Sequence, residues 1–394
     1  MTLLRAIKYC IFIVTLLAFT IAKAQKASLK AADSLYTIGN YTEAIKVYQN
    51  IEPKDDYILL KIAKAHKAKG TYNDALSYYE KVLQLDTELL SAKLEYAKLL
   101  TTTRKYKKAD SVYTGLVSQY PDNPNFYYQL GSVKKKQKDS TAIVYFKEAF
   151  KLDSTHQKSC FEVAKHFLKK RNYNKVEDIA NKGLSSYSEN PELINILGQN
   201  YLLRKYYSEA IPYFKKLISL NHGNEYVHAS LALCYHKNYD YKLAIIQYQE
   251  ALKYNDQVPL RYTRMAEAYT RLNMYNEALA NNTKALLLKN LPVEQEFFNV
   301  AMSHRHLENW EEAIKYVKLA IKENPEFLRA QYQLAVFADA YYKDPKVKLE
   351  YYNVFMKKFG ETKDAKNFYG FMVNKRITQL EKEIQTSEKA VVEK

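Results

Sequence analysis

Small and aromatic residues recur along this chain in one fixed phase. Alanine stands at Ala44, Ala75, Ala109, Ala142, Ala210, Ala244, Ala278 and Ala313, in steps of 31, 34, 33, 68, 34, 34 and 35. A ring precedes nearly every one by three residues: Tyr41, Tyr72, Tyr106, Tyr207, Tyr241, Tyr275 and Trp310. The skipped beat falls at Val176, behind Tyr173. Twelve residues before every marker but Ala142 comes a second small residue: Ala32, Ala63, Ala97, Ala164, Gly198, Ala232, Ala266 and Ala301. Four residues after it, one turn along the same helix face, comes a ring in most copies: Tyr48, Tyr79, Tyr113, Phe146, Phe214 and Tyr248. A period near 34 predicts two helices per copy, closely packed where both residues are small, with the ring filling the space beneath the neighbouring copy. Gly39 and Gly70 fall between the two helices, where a cap with positive φ suits glycine. Tyr120-Pro121, Asn190-Pro191 and Asn324-Pro325 mark where one copy ends and the next opens.

The small residue, the Tyr, the Ala and the following ring, in register nine times, resemble the tetratricopeptide repeat family. A weaker tenth copy runs from Phe327 to Phe359, so the resemblance spans about residues 28–360. It implies an all-α fold: a right-handed α–α superhelix of about ten helical hairpins. Three copies depart from the pattern. Copy four has Asp139 in place of the Tyr and is one residue short; copy five has Val176 and Ala180; copy eight has Asn282 in place of the ring. In this family the first helix of each copy lines the inner groove. That register points Lys64, Lys67, Lys98, Tyr128, Lys135, Phe161 and Lys165 into the groove from the N-terminal half. From the C-terminal half it points Asn195, Gln199, Tyr226, Glu267, Phe298, Arg305, Tyr332 and Asp339. The Lys/Asn/Asn/Lys/Arg carboxylate clamp of some members is not matched in any three consecutive copies.

Both ends stand outside the repeat. Residues 1–24 carry Arg5 and Lys8, an uncharged run from Ile11 to Ala22, and the small-x-small site Ala22-Lys23-Ala24. This reads as a secretory signal peptide cleaved before Gln25, too short in its apolar run for a spanning helix of about 20 residues. The expected location is periplasmic or secreted. The leader and the Lys/Asn/Tyr-rich composition resemble secreted repeat proteins of Bacteroidota. The domains expected are 1–24 signal peptide, 25–360 repeat solenoid, and 361–394 capping helix with a frayed tail. Within the last, 364–386 reads as one helix with an apolar stripe at Val373, Ile377, Leu380 and Ile384, extended at its start by Phe368 and Met372. Lys375, Arg376, Glu381 and Lys382 keep its other face wet. A terminal copy needs such a cap over its open apolar face; a short dimerising coiled coil is the alternative.

The formal charge is +17, or +14 once Arg5, Lys8 and Lys23 leave with residues 1–24. That excess favours acidic partners, although solvated helix faces alone also produce it. Cys160 and Cys234 lie about two copies apart and read as small core residues. There is no H-E-x-x-H, P-loop, nucleophile elbow or C-x-x-C. His66 and His304 occupy the packing position that Leu35, Leu100 and Tyr201 hold in other copies. No catalytic residue, metal site, cofactor or small-molecule substrate is expected. Two function classes remain. One is a non-catalytic exported scaffold that binds a protein or peptide, acidic in character, in a basic concave groove. The other is a polyanion binder for an acidic glycan, a cell-wall polymer or nucleic acid, the last disfavoured by the leader.

Overall fold

A computed structural model of the chain describes residues 25–289, 293–362 and 368–392. The expected signal peptide at 1–24 lies outside them. The described residues form helices joined by short turns, and the chain divides into two compact units, one ending at Ser188 and the other beginning at Glu189.

The first unit holds five hairpins. They are α1 (25–37) with α2 (Tyr41–Gln49), α3 (Asp56–Lys69) with α4 (Tyr72–Leu85), α5 (Leu90–Thr102) with α6 (Tyr106–Gln119), α7 (Pro124–Lys136) with α8 (Ala142–Leu152), and α9 (Gln157–Lys169) with α10 (Tyr173–Ser186). The second unit holds five more. They are α11 (Pro191–Leu203) with α12 (Tyr207–Ser219), α13 (Glu225–Lys237) with α14 (Tyr241–Tyr254), α15 (Pro259–Arg271) with α16 (Tyr275–Leu288), α17 (Glu294–His306) with α18 (Trp310–Glu323), and α19 (Leu328–Tyr341) with α20 (Pro345–Phe359). A final helix, α21 (Gly370–Val392), follows. Ten hairpins and a terminal helix are what the repeat predicts.

The recurrent residues sit where the sequence places them. In every copy but the fourth, where α8 begins at the marker Ala142 itself, the Tyr or Trp310 is the first residue of the second helix and the marker follows three residues later with its side chain buried. The second small residue lies in the first helix and is also buried, so the two backbones approach where neither carries bulk. Copy four, which lacks a small residue at the usual spacing, uses Gly131. A Cβ there would stand 2.9 Å from the Phe146 ring, and at Gly198 it would stand 3.0 Å from Phe214. The ring of the second helix therefore rests directly on the first. Tyr48, Tyr79, Tyr113, Phe214 and Tyr248 are fully buried. Burial pushes the phenol pKa of Tyr79, Tyr113 and Tyr248 upward. His66 and His304 are packing residues, stacked on Tyr78 and Tyr316 at 5.3 and 5.4 Å, as Tyr201 is on Tyr213. Cys160 and Cys234 are free, buried thiols whose pKa desolvation pushes up to about 12.

The turn between the helices departs from expectation. Gly39 and Gly70 have positive φ, but in hairpins three to nine the same place is taken by Arg104, Lys138, Arg171, Lys205, Tyr239, Asn273 and Glu308, all with φ between 55° and 67°. The backbone bonds that close the turn hold these side chains in a left-handed conformation that favours glycine.

In the second unit α21 packs on α20. Val373 and Leu380 are fully buried in a cluster with Ala335, Tyr352, Phe355 and Phe359, and Ile377 packs against it. Val373, Ile377 and Leu380 of the expected stripe therefore form the buried face, with Ile384 half-buried further along. Three details are corrected. Phe368 and Met372 do not extend the stripe: Phe368 is 64% exposed and Met372 39%, because Tyr369 takes the covering place, against the Tyr332 ring at 4.9 Å. Arg376 is not on the wet face. It donates to Asp339 from Nε (2.7 Å) and Nη2 (3.0 Å). The end at residue 386 is also passed, since the helix runs on to Val392 and Glu388 pairs with Lys346 at 2.8 Å.

Candidate partner-binding surface

The first helices of hairpins two to five carry the predicted lysines. Lys64 and Lys67 lie on α3, Lys98 on α5, Lys135 on α7 and Lys165 on α9. Lys64, Lys98, Lys135 and Lys165 are exposed, and Lys67 is half-buried. The structure gathers three of them around one carboxylate. Lys67 donates to Glu95, and Lys98 Nζ lies 3.7 Å from the other Glu95 oxygen. Burial would raise the pKa of Glu95, but the hydrogen bond from Lys67 and the charges of Lys67, Lys98 and Lys64 hold it below the usual glutamate value. Lys135 is held by both oxygens of Glu162, at 2.6 and 2.7 Å. Lys165 lies over the Phe161 ring at 5.2 Å. Lys64 and Lys165 make no ion pair among the described residues.

A wall of unrelieved like charge is therefore not what folds here. Glu95 and Glu162 escaped the sequence reading, yet a signal for them exists. Lys61 reaches back 28 residues to Asp33, Lys67 forward 28 to Glu95, and Lys135 forward 27 to Glu162. That span joins the first helices of consecutive hairpins, so opposite charges at that separation mark a bridge between copies.

The rings divide. Tyr128 is half-buried, packed against Phe146 at 5.6 Å and His156 at 5.5 Å, with Lys158 over it at 5.8 Å. Phe161 is half-buried. In the second unit Tyr226 is 46% exposed and touches Phe214 edge-on. Phe298 is corrected: it is 3% exposed and belongs to the core with Ala301, Ala313 and Phe337, because it packs against Phe327 at 5.2 Å. Arg305 is half-exposed. Tyr332 is half-buried, with the Tyr369 ring at 4.9 Å and the Phe355 ring at 6.1 Å. Asp339 is taken by Arg376, Lys348 and the Tyr352 hydroxyl, and Glu267 by His236 at 3.3 Å.

A second feature was missed altogether. In hairpin eight, where Asn282 replaces the ring, a cavity of about 620 Å³ opens along α15, α16 and α17. Asn282 is buried and donates its amide to Ser303 Oγ (2.9 Å) and to the Asn299 carbonyl (3.3 Å). Arg271 and Arg329 line the opening.

Comparison with known proteins agrees with the repeat geometry. Residues 67–130 and residues 191–223 each match a tetratricopeptide repeat model. The chain carries tetratricopeptide repeats. It is 26% identical over 236 residues to the TPR repeat-containing protein YpiA of Bacillus subtilis, covering 58% of this chain and 53% of that one. It is 26% identical over 231 residues to the TPR repeat-containing protein MJ1428 of Methanocaldococcus jannaschii, covering 56% and 40%. The chain thus spans about half the length of the curated relatives it matches. Among solved structures it is similar to YrrB, described as a TPR protein with an unusual peptide-binding site, at 19% identity and a TM-score of 0.45 over 48% of this chain and 96% of that one. A tetratricopeptide repeat protein from Parabacteroides merdae gives 13% identity and a TM-score of 0.43 over 63% and 98%. No helix among the described residues is long and apolar enough to cross a membrane.

Proposed function

We propose that this chain is a non-catalytic scaffold that binds an acidic protein or peptide along the first helices of hairpins two to five, and that it works outside the cytoplasm after losing residues 1–24. The observation that carries the reading is the set of exposed cations Lys64, Lys98 and Lys165, the first and last without ion pairs, with Phe161 and Tyr128 half-buried among them. Half-buried rings and exposed cations on one helical face can dock a chain by stacking and by charge-assisted hydrogen bonds. Glu95 and Glu162 favour a protein over a polyanion. A partner with both signs of charge can complement alternating lysines and carboxylates, whereas a continuous polyanion meets two fixed negative charges.

Changing Lys64, Lys98 and Lys165 together to Glu should abolish capture of the native partner from cell extract, with helical signal and melting point held. The same reversal at Lys46, Lys81 and Lys147 on the second helices should do little. Capture lost only with the second set would move the binding face and overturn the reading. A steep fall of binding with salt, proportional to the number of released counterions, would instead favour the polyanion. Export is tested by intact mass of protein from native cells: a chain starting at Gln25 is expected, and a full-length chain in the cytosolic fraction would refute it.

A further inference from the structure

The cavity of hairpin eight lies where one residue breaks the repeat. In hairpins one to three, six and seven the residue four after the marker is a fully buried ring. Asn282 stands there in hairpin eight, and its short side chain turns toward α17, bonding Ser303 and the Asn299 carbonyl. The volume a ring would fill is left open, and the cavity of about 620 Å³ reaches the first-helix face. That is within the usual range of ligand pockets and has room for one side chain with its flanking backbone.

Its lining selects a ligand by chemistry. Arg271 and Arg329 are exposed guanidiniums without an ion-pair partner among the described residues; Arg329 lies over the Phe298 ring at 5.2 Å, and the charge of Arg271 helps hold the Glu267 carboxyl below its usual pKa. One carboxylate shares the site, Glu267, but an oxygen of it is engaged by His236. Gln295 donates to Asn299 Oδ1 at 2.8 Å, which leaves the Asn299 amide nitrogen to donate elsewhere. Phe298 and Met302 supply apolar wall. Two guanidiniums and an amide at one end, with apolar wall beside them, suit a carboxylate on a short methylene stem.

We propose that this cavity receives a glutamate or aspartate side chain of a bound peptide, its carboxylate meeting Arg271 and Arg329. The proposal rests on the scaffold reading but places a separate contact in the second unit. The test uses the full chain and pairs of N-acetylated, C-amidated nonapeptides, each with a central Glu or its Gln counterpart, measured by titration calorimetry. The Glu peptides should bind roughly tenfold or more tightly than the Gln peptides, the loss expected for charge-assisted hydrogen bonds. Asn282→Tyr, which restores the ring, should abolish that preference while holding or raising the melting point. Arg271→Gln and Arg329→Gln alter exposed side chains and should each weaken the Glu peptides without a folding change. Equal binding of Glu and Gln peptides would overturn the proposal, as would no saturable binding at millimolar peptide, or unchanged binding by Asn282→Tyr and both arginine variants. Glutarate binding as tightly as the peptides would also overturn it, by making a small dicarboxylate the occupant. Loss of native capture in the triple lysine variant, with none in Asn282→Tyr, would retire the cavity and leave the scaffold reading standing.

Discussion

Tyr239 shows how much a single position can hold in reserve. It has φ of 67°, is 77% exposed, and touches only Tyr241, edge-on, among the rings around it. A left-handed conformation costs an L residue about 1–2 kcal/mol, whereas glycine adopts it freely but gives up about 0.5–1 kcal/mol of unfolded-chain entropy. Tyr239→Gly should therefore raise stability by about 0.5–1 kcal/mol, read as a higher denaturation midpoint at unchanged slope. A lower midpoint would mean that the Tyr239–Tyr241 contact outweighs the backbone strain. The turn glycines were legible at Gly39 and Gly70 because glycine is the default left-handed residue. The seven later turns were not, since a propensity rule cannot see that the closing hydrogen bonds, such as Asp240 N–H to the Tyr235 carbonyl, hold whatever residue is present. Asn282 was legible as a departure but not as a cavity. A missing ring predicts lost bulk, and only the packing of α15, α16 and α17 decides whether neighbours collapse into the space or leave it open.

At the scale of the element, α21 is held by two devices. Its stripe of Val373, Ile377 and Leu380 covers the apolar end of hairpin ten, and that periodicity was readable from sequence alone. The second device was not, because it joins residues far apart in the chain. Asp339 on α19 accepts from Arg376 on α21, from Tyr352 on α20 at 3.1 Å, and lies 3.2 Å from Lys348. Burial pushes the Asp339 carboxyl upward, yet the hydrogen bonds from Arg376 and Lys348 prevail and hold its pKa below the ordinary 3.8. A carboxyl depressed on folding contributes stability that is fully present above its unfolded pKa and is lost as pH falls through the folded one. The latch should thus be intact above about pH 4 and fail at more acid pH. Asp339→Asn should cost about 1–3 kcal/mol at pH 7 and flatten that acid step. Hydrogen exchange of α21 amides against pH measures both. Equal acid sensitivity in the variant and the parent would assign the step to other carboxylates.

Across the whole molecule, the hairpin count, the boundaries near each Tyr and the buried small residues were readable from the sequence because one packing problem is solved ten times. The candidate surface was readable only in part. The register put the lysines on the first helices, but Glu95 and Glu162, which neutralise some of them, belong to the next copy and are invisible to a rule that scores copies singly. Phe298 failed because Phe327 of the next hairpin packs on it at 5.2 Å, a contact between copies that the register alone does not show. A repeat chain whose hairpins rest on their neighbours should also lose structure regionally, since stability in such stacks is a sum of local and nearest-neighbour terms. The single tryptophan, Trp310, makes this measurable. It opens α18, packs on Phe337 at 6.3 Å, and reports hairpin nine. Ala301 lies in the same hairpin and Ala63 in hairpin two; both are fully buried small residues between helices. Leucine at either should overpack its hairpin by about 1–3 kcal/mol. Ala301→Leu should shift the Trp310 fluorescence transition in denaturant to a clearly lower midpoint. Ala63→Leu should bring forward part of the loss of helical signal and leave the fluorescence midpoint nearly in place. Equal displacement of the fluorescence transition by both substitutions would show that the chain melts as one cooperative block, and the local character assigned to the repeat would be wrong.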